Sequence, residues 1–539
     1  MANEKVYEEL SRPDLHNVLL LCLSLLLAVH VWRWMQRAGK RIGPPGPFPW
    51  PLIGNVAQLG RSPHISFAGM VQKYGAVFQL KLGSRNVVVL NGEHAIRQAL
   101  IGKAADFAGR PDFASFRVVS GGRSLAFGGY GAQWTAHRRL AHATVRAFST
   151  SNARTRKAFE RHVLGEAREL LRIFRARSAG GAYFDPAPNS VVAIANVMSA
   201  LCFGNRYSHE DPEFRALLGR NEQFGRTVGA GSLVDVMPWL RLFPNPVRTL
   251  FGNFVQLNRE FYGFVHDKFV QHQRSFRDGL VRDMMDLFIQ ALAGRPGLLQ
   301  REYVPATVTD IFGASQDTLS TALQWLILFL VRYPKVQAKM QEEVDRIVGR
   351  DRLPCIEDQP SLPYVMAFLY ELMRFSSFVP VTIPHATTAD TSLLGYHIPK
   401  NTVVFVNQWS VNHDPVKWHN PKDFNPSRFL NENGSLDRDL VSSVMIFSIG
   451  KRRCIGEELS KMQLFLFASI LAHQCTFIAN PGEDPNLEAV YSLSIKPKPF
   501  TVNMTLRDNM DLLDSAVGSM PTERATSENL ALHLNTEGE

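Results

Sequence analysis

The sequence predicts a mainly α-helical protein with a minor β part, preceded by a single N-terminal membrane-spanning helix. Apolar residues recur at helical spacing over most of residues 134–350, with breaks at three prolines. Short runs at 77–82, 87–90, 395–399 and 402–406 are typical of strands, and the first two form a β-hairpin with a turn at 83–86. Because no internal repeat interrupts this pattern, we expect one large domain over residues 52–507.

The predicted membrane helix covers residues 15–32, which are mostly apolar and just numerous enough to cross a bilayer. Residues 1–14 carry four acids against two cations, whereas the stretch from Arg33 to Arg41 carries four cations and no acid. Positive charge stays on the cytosolic side, so we expect residues 1–14 in the lumen and the large body in the cytosol. The alternative is a cleaved signal peptide, but this would need a basic start and a small-residue cleavage site.

Residues 33–51 form a basic, proline-rich linker, and prolines 44, 45, 47, 49 and 51 favour a stiff spacer. Residues 508–539 are polar and lack sustained periodicity, which predicts a disordered C-terminal tail.

The composition is that of a globular protein with an ample core, 45% hydrophobic and 20% charged. The five cysteines show no C-x-x-C pair, which disfavours a disulfide framework or a zinc site. The net charge of +10 favours an anionic membrane surface or an acidic protein partner. Nucleic acid is the weakest candidate, because no five cations stand in a row.

The most informative motif is the cysteine loop, residues 447–456. Its fixed positions are Phe447, Gly450, Arg452, Cys454 and Gly456. The glycines allow tight turns, and the neighbouring cations and the start of a helix favour a thiolate at the cysteine. A thiolate facing a planar cofactor is how some proteins hold haem iron, whereas a lone cysteine is more often a buried structural residue. The spacing resembles the haem-binding signature of the cytochrome P-450 superfamily.

This resemblance implies the cytochrome P-450 fold and haem b with Cys454 as the axial thiolate. It also implies a monooxygenase that uses O2 and NADPH-derived electrons. The electron donor would be the NADPH–cytochrome P-450 reductase, with cytochrome b5 as a second partner. Members with such an anchor lie in the endoplasmic reticulum membrane, with the catalytic domain cytosolic, and some also occur in mitochondria.

A second motif pairs Glu371 with Arg374 at a spacing that places both on one helix face. Alone it is weak, since surface pairs of this kind are common. The resemblance implies that both join Arg428 in a buried ion network with a structural role.

A third motif lies in the helical run 305–333, where Gly313 and Ala314 precede Asp317 and Thr318. By itself it could be a few polar residues on a solvent-facing helix. The resemblance implies an oxygen-binding groove in which Asp317 and Thr318 act as a short proton relay. Ser315 departs from the common family pattern, which has glycine there.

A fourth motif places Trp134 and Arg138 on one helix face. Unaided, such residues are more often core than ligand. The resemblance implies that they hold a haem propionate, with His385 at the other propionate and Arg452 joining them.

Three stretches, 116–124, 229–238 and 311–320, look like family 1 of the superfamily and most like subfamily B. The resemblance implies polycyclic aromatics, oestrogens and retinoids as substrates. Several phenylalanines could form a flat apolar slot, and Asn221 could bind a phenol or ketone, although some of these residues could be ordinary core. The pocket candidates are Phe116, Phe127, Asn221, Phe224, Phe261, Ala314, Val381 and Leu493.

The cations 451–453, with Arg139 and Lys461, suggest a basic face near the thiolate on which an acidic donor docks. We find no G-x-G-x-x-G fingerprint, so electrons must come from another protein. The alternatives are a haem-thiolate isomerase or dehydratase without reductase, and a membrane-anchored haem sensor. Asp317 and Thr318 argue against the first, since it needs no proton relay.

Overall fold

Long helices fill the middle of the chain, as the periodicity predicts. The computed structural model describes residues 17–25, 28–29, 31–32, 43–149, 153–208, 210–294 and 300–518. Within them the helices are α1 (Pro63–Tyr74), α2 (Glu93–Arg97), α3 (Ala132–Ser149), α4 (Ala153–Arg177), α5 (Ala187–Phe203), α6 (Pro212–Val236), α7 (Pro246–Ser275), α8 (Met284–Gly294), α9 (Tyr303–Arg332), α10 (Pro334–Ile347), α11 (Pro363–Ser376), α12 (Trp409–Asn412), α13 (Arg438–Ser443), α14 (Glu457–Gln474) and α15 (Asp511–Gly518).

The strands make one four-stranded sheet and three two-stranded pairs. They are β1 (Val77–Leu82), β2 (Arg85–Leu90), β3 (His385–Ala386), β4 (Thr391–Leu393), β5 (Tyr396–Ile398), β6 (Val403–Val406), β7 (Cys475–Ala479), β8 (Ala489–Tyr491), β9 (Ile495–Pro497) and β10 (Val502–Leu506). The large sheet has the order β1-β2-β6-β3, and the pairs are β4-β5, β7-β10 and β8-β9. A mainly helical fold with a minor β part is therefore confirmed.

The turn of the first hairpin is shorter than predicted. β2 begins at Arg85, which pairs with Leu82, so that only Gly83 and Ser84 form the loop. The Arg85 side chain donates to the carbonyls of Asp112 (3.1 Å) and Asp235 (3.2 Å). These distant contacts hold a polar residue in a strand, which local sequence could not indicate.

Helix α9 is the central element, because it is buried along most of its length. It packs against α5, α7, α11 and α14. A helix that is apolar on nearly all sides needs such surroundings. Its Asp310, Asp317 and Thr318 side chains, described below, each have specific hydrogen-bond partners.

A buried ion network lies behind this core. Glu371 accepts hydrogen bonds from Arg374 Nε (2.7 Å) and Nη2 (2.8 Å) and from Arg428 Nε (3.1 Å). Glu371 and Arg374 are both fully buried. Arg374 Nη1 also donates to the carbonyls of Asn412 and Pro421, both at 3.0 Å. The structure thus brings the three predicted residues together and ties α11 to the segment that leads to the cysteine loop.

The two ends of the chain differ from the expected layout. Residues 511–518, predicted as part of a disordered tail, form α15, whose Leu513 is fully buried and whose Asp514 pairs with Arg168 at 2.5 Å. The prediction therefore missed a short amphipathic helix, which is held by an ion pair with α4, a helix far away in the sequence. Residues 519–539 lie outside the described residues.

The proline-rich linker is not a free spacer where it is described. Pro45 accepts a hydrogen bond from the Gln79 N–H (2.8 Å), and a Cβ at Gly46 would lie 2.0 Å from the Gln79 carbonyl oxygen. This part of the linker therefore runs tightly along β1.

The predicted lumenal residues 1–14, and residues 15–16, 26–27 and 30 of the predicted membrane helix, lie outside the described residues. Residues 17–25, 28–29 and 31–32 are helical. Among the described residues, no helix combines the length and the apolar character needed to cross a bilayer.

Replacing Arg374 by glutamine should lower the free energy of unfolding by about 3–5 kcal/mol, because it leaves the Glu371 carboxylate short of a buried partner. Urea unfolding followed by circular dichroism measures this. Arg172→Gln is the matched control, since Arg172 pairs with Glu169 at the same spacing but is exposed, and it should cost under about 1 kcal/mol. Equal effects of the two variants would contradict the structural role of the network.

Candidate functional site

The cysteine loop is closed by a hydrogen bond from the Cys454 N–H to the Phe447 carbonyl (2.8 Å). Gly450 has φ +75°, and a Cβ there would lie 2.0 Å from the Leu100 carbonyl oxygen, so this position requires glycine. Gly456 lies in a turn that leads into α14, but its φ of −93° is one that any residue can adopt. Its N–H hydrogen-bonds Cys454.

The surroundings of Cys454 do not by themselves favour a thiolate, contrary to the expectation from sequence. Desolvation by the surrounding chain, the largest effect, raises the pKa of the Cys454 thiol although the residue itself is exposed, and Glu457 raises this pKa further. The Gly456 N–H, Arg138 and Arg453 lower the pKa, but by less. A thiolate at this position needs a further positive partner, and a metal ion supplies one.

Arg452 points inward from the loop and stacks on Trp134, with its guanidinium 3.9 Å from the ring centre. It donates to the carbonyls of Ala108 (2.8 Å), Leu125 (3.3 Å) and Gly128 (2.7 Å). Burial lowers the pKa of Arg452 to about 9, and Arg138 adds to the effect.

Two more arginines share this region. Arg138 donates to the Arg453 carbonyl. Arg110, which the motifs did not indicate, donates to the carbonyls of Ala126 (2.9 Å), Ile383 (3.0 Å) and Pro384 (3.1 Å). Burial lowers the pKa of Arg110, and the two other arginines lower it further.

None of these three arginines has a carboxylate partner among the residues that the structure describes. Buried guanidinium groups are stabilised when an anion pairs with them. We call Arg110, Arg138 and Arg452 the arginine cradle. It suits a ligand with more than one carboxylate, and its chemistry fits the two propionates of haem.

Two other predicted propionate ligands are already engaged. The Trp134 Nε1–H donates to the Leu125 carbonyl (2.8 Å). His385 Nδ1 lies 2.7 Å from the Phe107 carbonyl oxygen, and burial, with Arg110 adding to it, lowers the pKa of His385 to about 3. His385 is therefore neutral at physiological pH, with its proton on Nδ1, so its Nε2 carries no proton.

On α9, Asp317 and Thr318 have different partners. The Asp317 carboxylate accepts from Ser494 Oγ (2.6 Å) and pairs with Lys496 Nζ (2.8 Å), so it faces the β8-β9 hairpin. The Thr318 hydroxyl donates to the Ala314 carbonyl one turn earlier (2.8 Å). No local motif indicated Lys496 as a partner of Asp317.

Several predicted pocket residues form aromatic pairs. The rings of Phe116 and Phe127 lie 4.7 Å apart, and Phe261 lies 6.0 Å from Phe312. A Cβ at Gly313 would come within 3.2 Å of the Phe261 ring.

The remaining pocket candidates are less defined. Val381 is half-buried, Ala314 is exposed, and Leu493 is exposed beside β9. The side chains of Asn221 and Phe224 lie outside what the structure describes.

The basic face is smaller than predicted. Arg452 lies inside the protein rather than on the face. Glu457 pairs with Arg453 (2.6 Å) and with Lys461 (2.8 Å). The loop thus presents less unpaired positive charge than its sequence indicated, since the helix that follows supplies the acid.

Comparison with known proteins shows the family. The family model described as Cytochrome P450 matches residues 44–504. The chain is 63% identical over 514 residues to Cytochrome P450 1B1 of Homo sapiens, which covers 93% of this chain and 95% of the relative. It is 62% identical over 520 residues to Cytochrome P450 1B1 of Rattus norvegicus, covering 94% and 96%. It is 41% identical over 487 residues to Cytochrome P450 1A1 of Cavia porcellus, covering 88% and 93%.

The chain belongs to the cytochrome P450 family, and the resemblance to family 1, subfamily B, is confirmed. It is a haem-thiolate monooxygenase that uses haem b, O2 and NADPH-derived electrons delivered by a reductase. The isomerase, dehydratase and sensor alternatives are not favoured.

Replacing Arg110 by alanine should speed haem loss about tenfold, because one cation of the arginine cradle no longer pairs with the propionates. Transfer of haem to an excess of an apo-haemoprotein, followed in the Soret band, gives this rate. Arg97→Ala, at an exposed pair with Glu93, should leave it unchanged. A wild-type rate in the Arg110 variant would exclude this residue from the cradle.

Proposed function

We propose that this member of the cytochrome P450 family inserts one oxygen atom from O2 into flat hydrophobic aromatics, with Cys454 as the axial ligand. The substrate classes are polycyclic aromatic hydrocarbons, oestrogens and retinoids. The observation that carries the proposal is the combination of a single cysteine in a closed loop with the arginine cradle beside it. One site therefore offers a thiolate for iron and cations for two carboxylates.

The haem, when bound, supplies the activation of O2 and the oxidising power. The chain holds it through Cys454 and the arginine cradle. Trp134 supports the arginine cradle, because its ring stacks on the Arg452 guanidinium and its centre lies 5.4 Å from the Arg138 guanidinium. His385 is neutral and therefore adds no charge to the propionate region.

Asp317 and Thr318 handle protons in this proposal. Thr318 Oγ is fixed by its bond to Ala314 and presents a hydroxyl on the partly accessible side of α9. The Asp317 carboxylate is tied to Lys496, which is 39% exposed, so a path to solvent runs through this ion pair. When the Asp317–Lys496 pair opens, Asp317 can take a proton from water and pass it toward the Thr318 hydroxyl.

The aromatic substrate is expected to lie among the phenylalanines. Phe116 and Phe127 form one wall, and Phe261 lies against the α9 backbone at Gly313. Flat rings stack favourably on such side chains, at about 0.5–1.5 kcal/mol per pair beyond area burial. Because the walls are apolar, the shape of the pocket and a small number of polar groups determine which ring position of the substrate is oxidised.

Pyrene and oestradiol test the proposal with the full-length protein, reductase and NADPH. The reduced, carbon-monoxide-bound protein should show the red-shifted Soret band of thiolate-ligated haem and should hydroxylate both compounds. Cys454→Ala should lose that band and the products, whereas Cys355→Ala, at a half-buried thiol outside the site, should keep both. Thr318→Ala should consume NADPH with less product and more hydrogen peroxide.

A wild-type protein without the red-shifted band would contradict the axial role of Cys454. Unchanged coupling of NADPH to product in Thr318→Ala would exclude the proton relay.

We further propose that residues 15–32 anchor the protein in the endoplasmic reticulum membrane, with the body in the cytosol and cytochrome b5 as a second electron donor. The apolar side chains of the described part of this segment are exposed, including Leu21, Leu23 and Leu25. A second exposed apolar group follows α6, with Trp239 at 42%, Leu242 at 73% and Phe243 at 61% exposure. Exposed apolar side chains at neighbouring positions favour a second membrane contact at residues 239–243.

Flotation with phosphatidylcholine–phosphatidylserine vesicles tests this arrangement. Removal of residues 1–41 should weaken binding without abolishing it, because the group at 239–243 remains. Serine at Trp239, Leu242 and Phe243 in that shortened chain should abolish the rest, while Val416→Ser, at an isolated residue that is 94% exposed, should change nothing. Full binding by the shortened chain would exclude the anchor.

A further inference from the structure

The carboxylate of Asp310, a half-buried residue of α9, is surrounded by hydrogen-bond donors from one irregular segment, residues 107–128. It accepts from Ser120 Oγ (2.5 Å), Ser124 Oγ (2.8 Å), the Leu125 N–H (2.5 Å) and the Ala126 N–H (3.0 Å). Four donors on one carboxylate fill its acceptor sites. A single side chain thus fixes both the side chains and the backbone of this stretch.

The Asp310 carboxylate is compensated by neutral donors. Burial is the largest influence and raises the pKa of Asp310, and the two hydroxyls and two N–H groups oppose it. A buried acid held in this way depends on every donor, because an unsatisfied buried charge is costly. The contact is therefore sensitive to small changes of geometry.

The backbone at Ser120 supports a specific fixing role. Ser120 has φ +52°, and Gly121 and Gly122 follow with φ +62° and +77°. A serine is less stable in the left-handed region than in the right-handed one. Its hydroxyl bond to Asp310 offsets that cost, and the Tyr262 ring covers the turn, since a Cβ at Gly121 would lie 3.0 Å from it.

The segment carries the phenylalanine wall on both sides of this turn. Phe116 precedes it and Phe127 follows it, and their rings lie 4.7 Å apart. The Phe127 N–H donates to Ser124 Oγ (3.0 Å), the same hydroxyl that donates to Asp310. A continuous chain of hydrogen bonds therefore links the Phe127 backbone to α9.

We propose that Asp310 is a positioning residue that sets affinity for aromatic substrates by holding the Phe116–Phe127 wall against α9. This inference rests on the proposed function, because the wall belongs to the proposed substrate pocket. Asp310 acts through the segment: without its bonds the turn at 120–122 relaxes, the two rings separate, and a flat substrate loses one face of its slot. The arginine cradle shares the carbonyls of Leu125 and Ala126 with this stretch, but it also binds those of Ile383, Pro384 and Arg453, so haem stays bound in that case.

Asp310→Asn tests the inference in the full-length holoprotein with reductase, vesicles and pyrene. The amide keeps the size but replaces one of the two acceptor oxygens by an NH2 group, so that a single oxygen remains to accept from the four donors. We expect the KM for pyrene to rise about tenfold, while kcat and haem content stay within about twofold. Trypsin should also cut after Arg123, which is exposed in the turn, about tenfold faster than in the wild type.

Asp112→Asn is the matched control, since Asp112 lies in the same segment but pairs with Arg117 at the surface, where the two are 68% and 71% exposed. It should leave KM and cleavage after Arg123 unchanged. Ser124→Ala is a milder variant without a buried-charge change, and its KM should rise about threefold. This variant decides the matter if Asp310→Asn does not fold.

A wild-type KM in Asp310→Asn, or in Ser124→Ala where that variant decides, would overturn the inference. So would a loss of kcat or haem content with KM unchanged, which a merely structural role would produce. Failure of the proposed function is distinguishable from both, because the wild-type protein itself would then form no product from pyrene.

Discussion

The hydrogen bonds of residues 107–128 hold the site together, and they are of two kinds: donors of the segment bind carboxylates, and its carbonyls bind guanidinium groups. The hydroxyls and N–H groups of this segment donate to the carboxylates of Asp310 and, through Ser115, of Asp235. Its carbonyls accept hydrogen bonds from the guanidinium groups of Arg110 and Arg452. Since irregular backbone inside a protein must find partners for its polar groups, the charged residues supply them. The same bonds place the aromatic wall and the arginine cradle on one piece of chain.

Two buried arginine systems in this protein follow opposite designs. Arg374 meets the carboxylate of Glu371 within its own helix, so its charge is balanced inside the chain. The arginines of the cradle donate only to carbonyl oxygens, as far as the described residues show. A balanced network stabilises the fold, whereas an unbalanced one is completed by a ligand. The difference separates a structural element from a binding element that uses the same residue type.

Short-range patterns predicted well, because spacing along a helix determines proximity. The Glu371–Arg374 pair, the Trp134–Arg138 face and the extent of α14 all depend on neighbours within a few turns, and the structure has each of them. Long-range contacts could not be predicted in this way. Arg110 and Lys496 have no local motif, and their importance appears only when the fold brings them beside other parts of the site.

The errors of prediction have the same origin. The cations before Cys454 indicated a thiolate and a basic face, but desolvation of the thiol and the pairing of Arg453 with Glu457 reverse or weaken both effects. The helix at 511–518 was missed because its partner, Arg168, lies in a helix more than 300 residues earlier. The local sequence shows which residues are charged, but it does not show how deeply each of them is buried in the folded protein.

The unbalanced arginine cradle also couples the amount of this protein in a cell to the supply of its cofactor. A ligand that binds only the folded chain stabilises it by an amount that grows with the logarithm of free ligand concentration. Chains made when haem is scarce would hold the three cations of the cradle, one of them buried and two half-buried, without the propionates and would unfold more often. Quality-control proteases remove chains that unfold, so the steady-state level of the enzyme follows haem synthesis as well as gene expression.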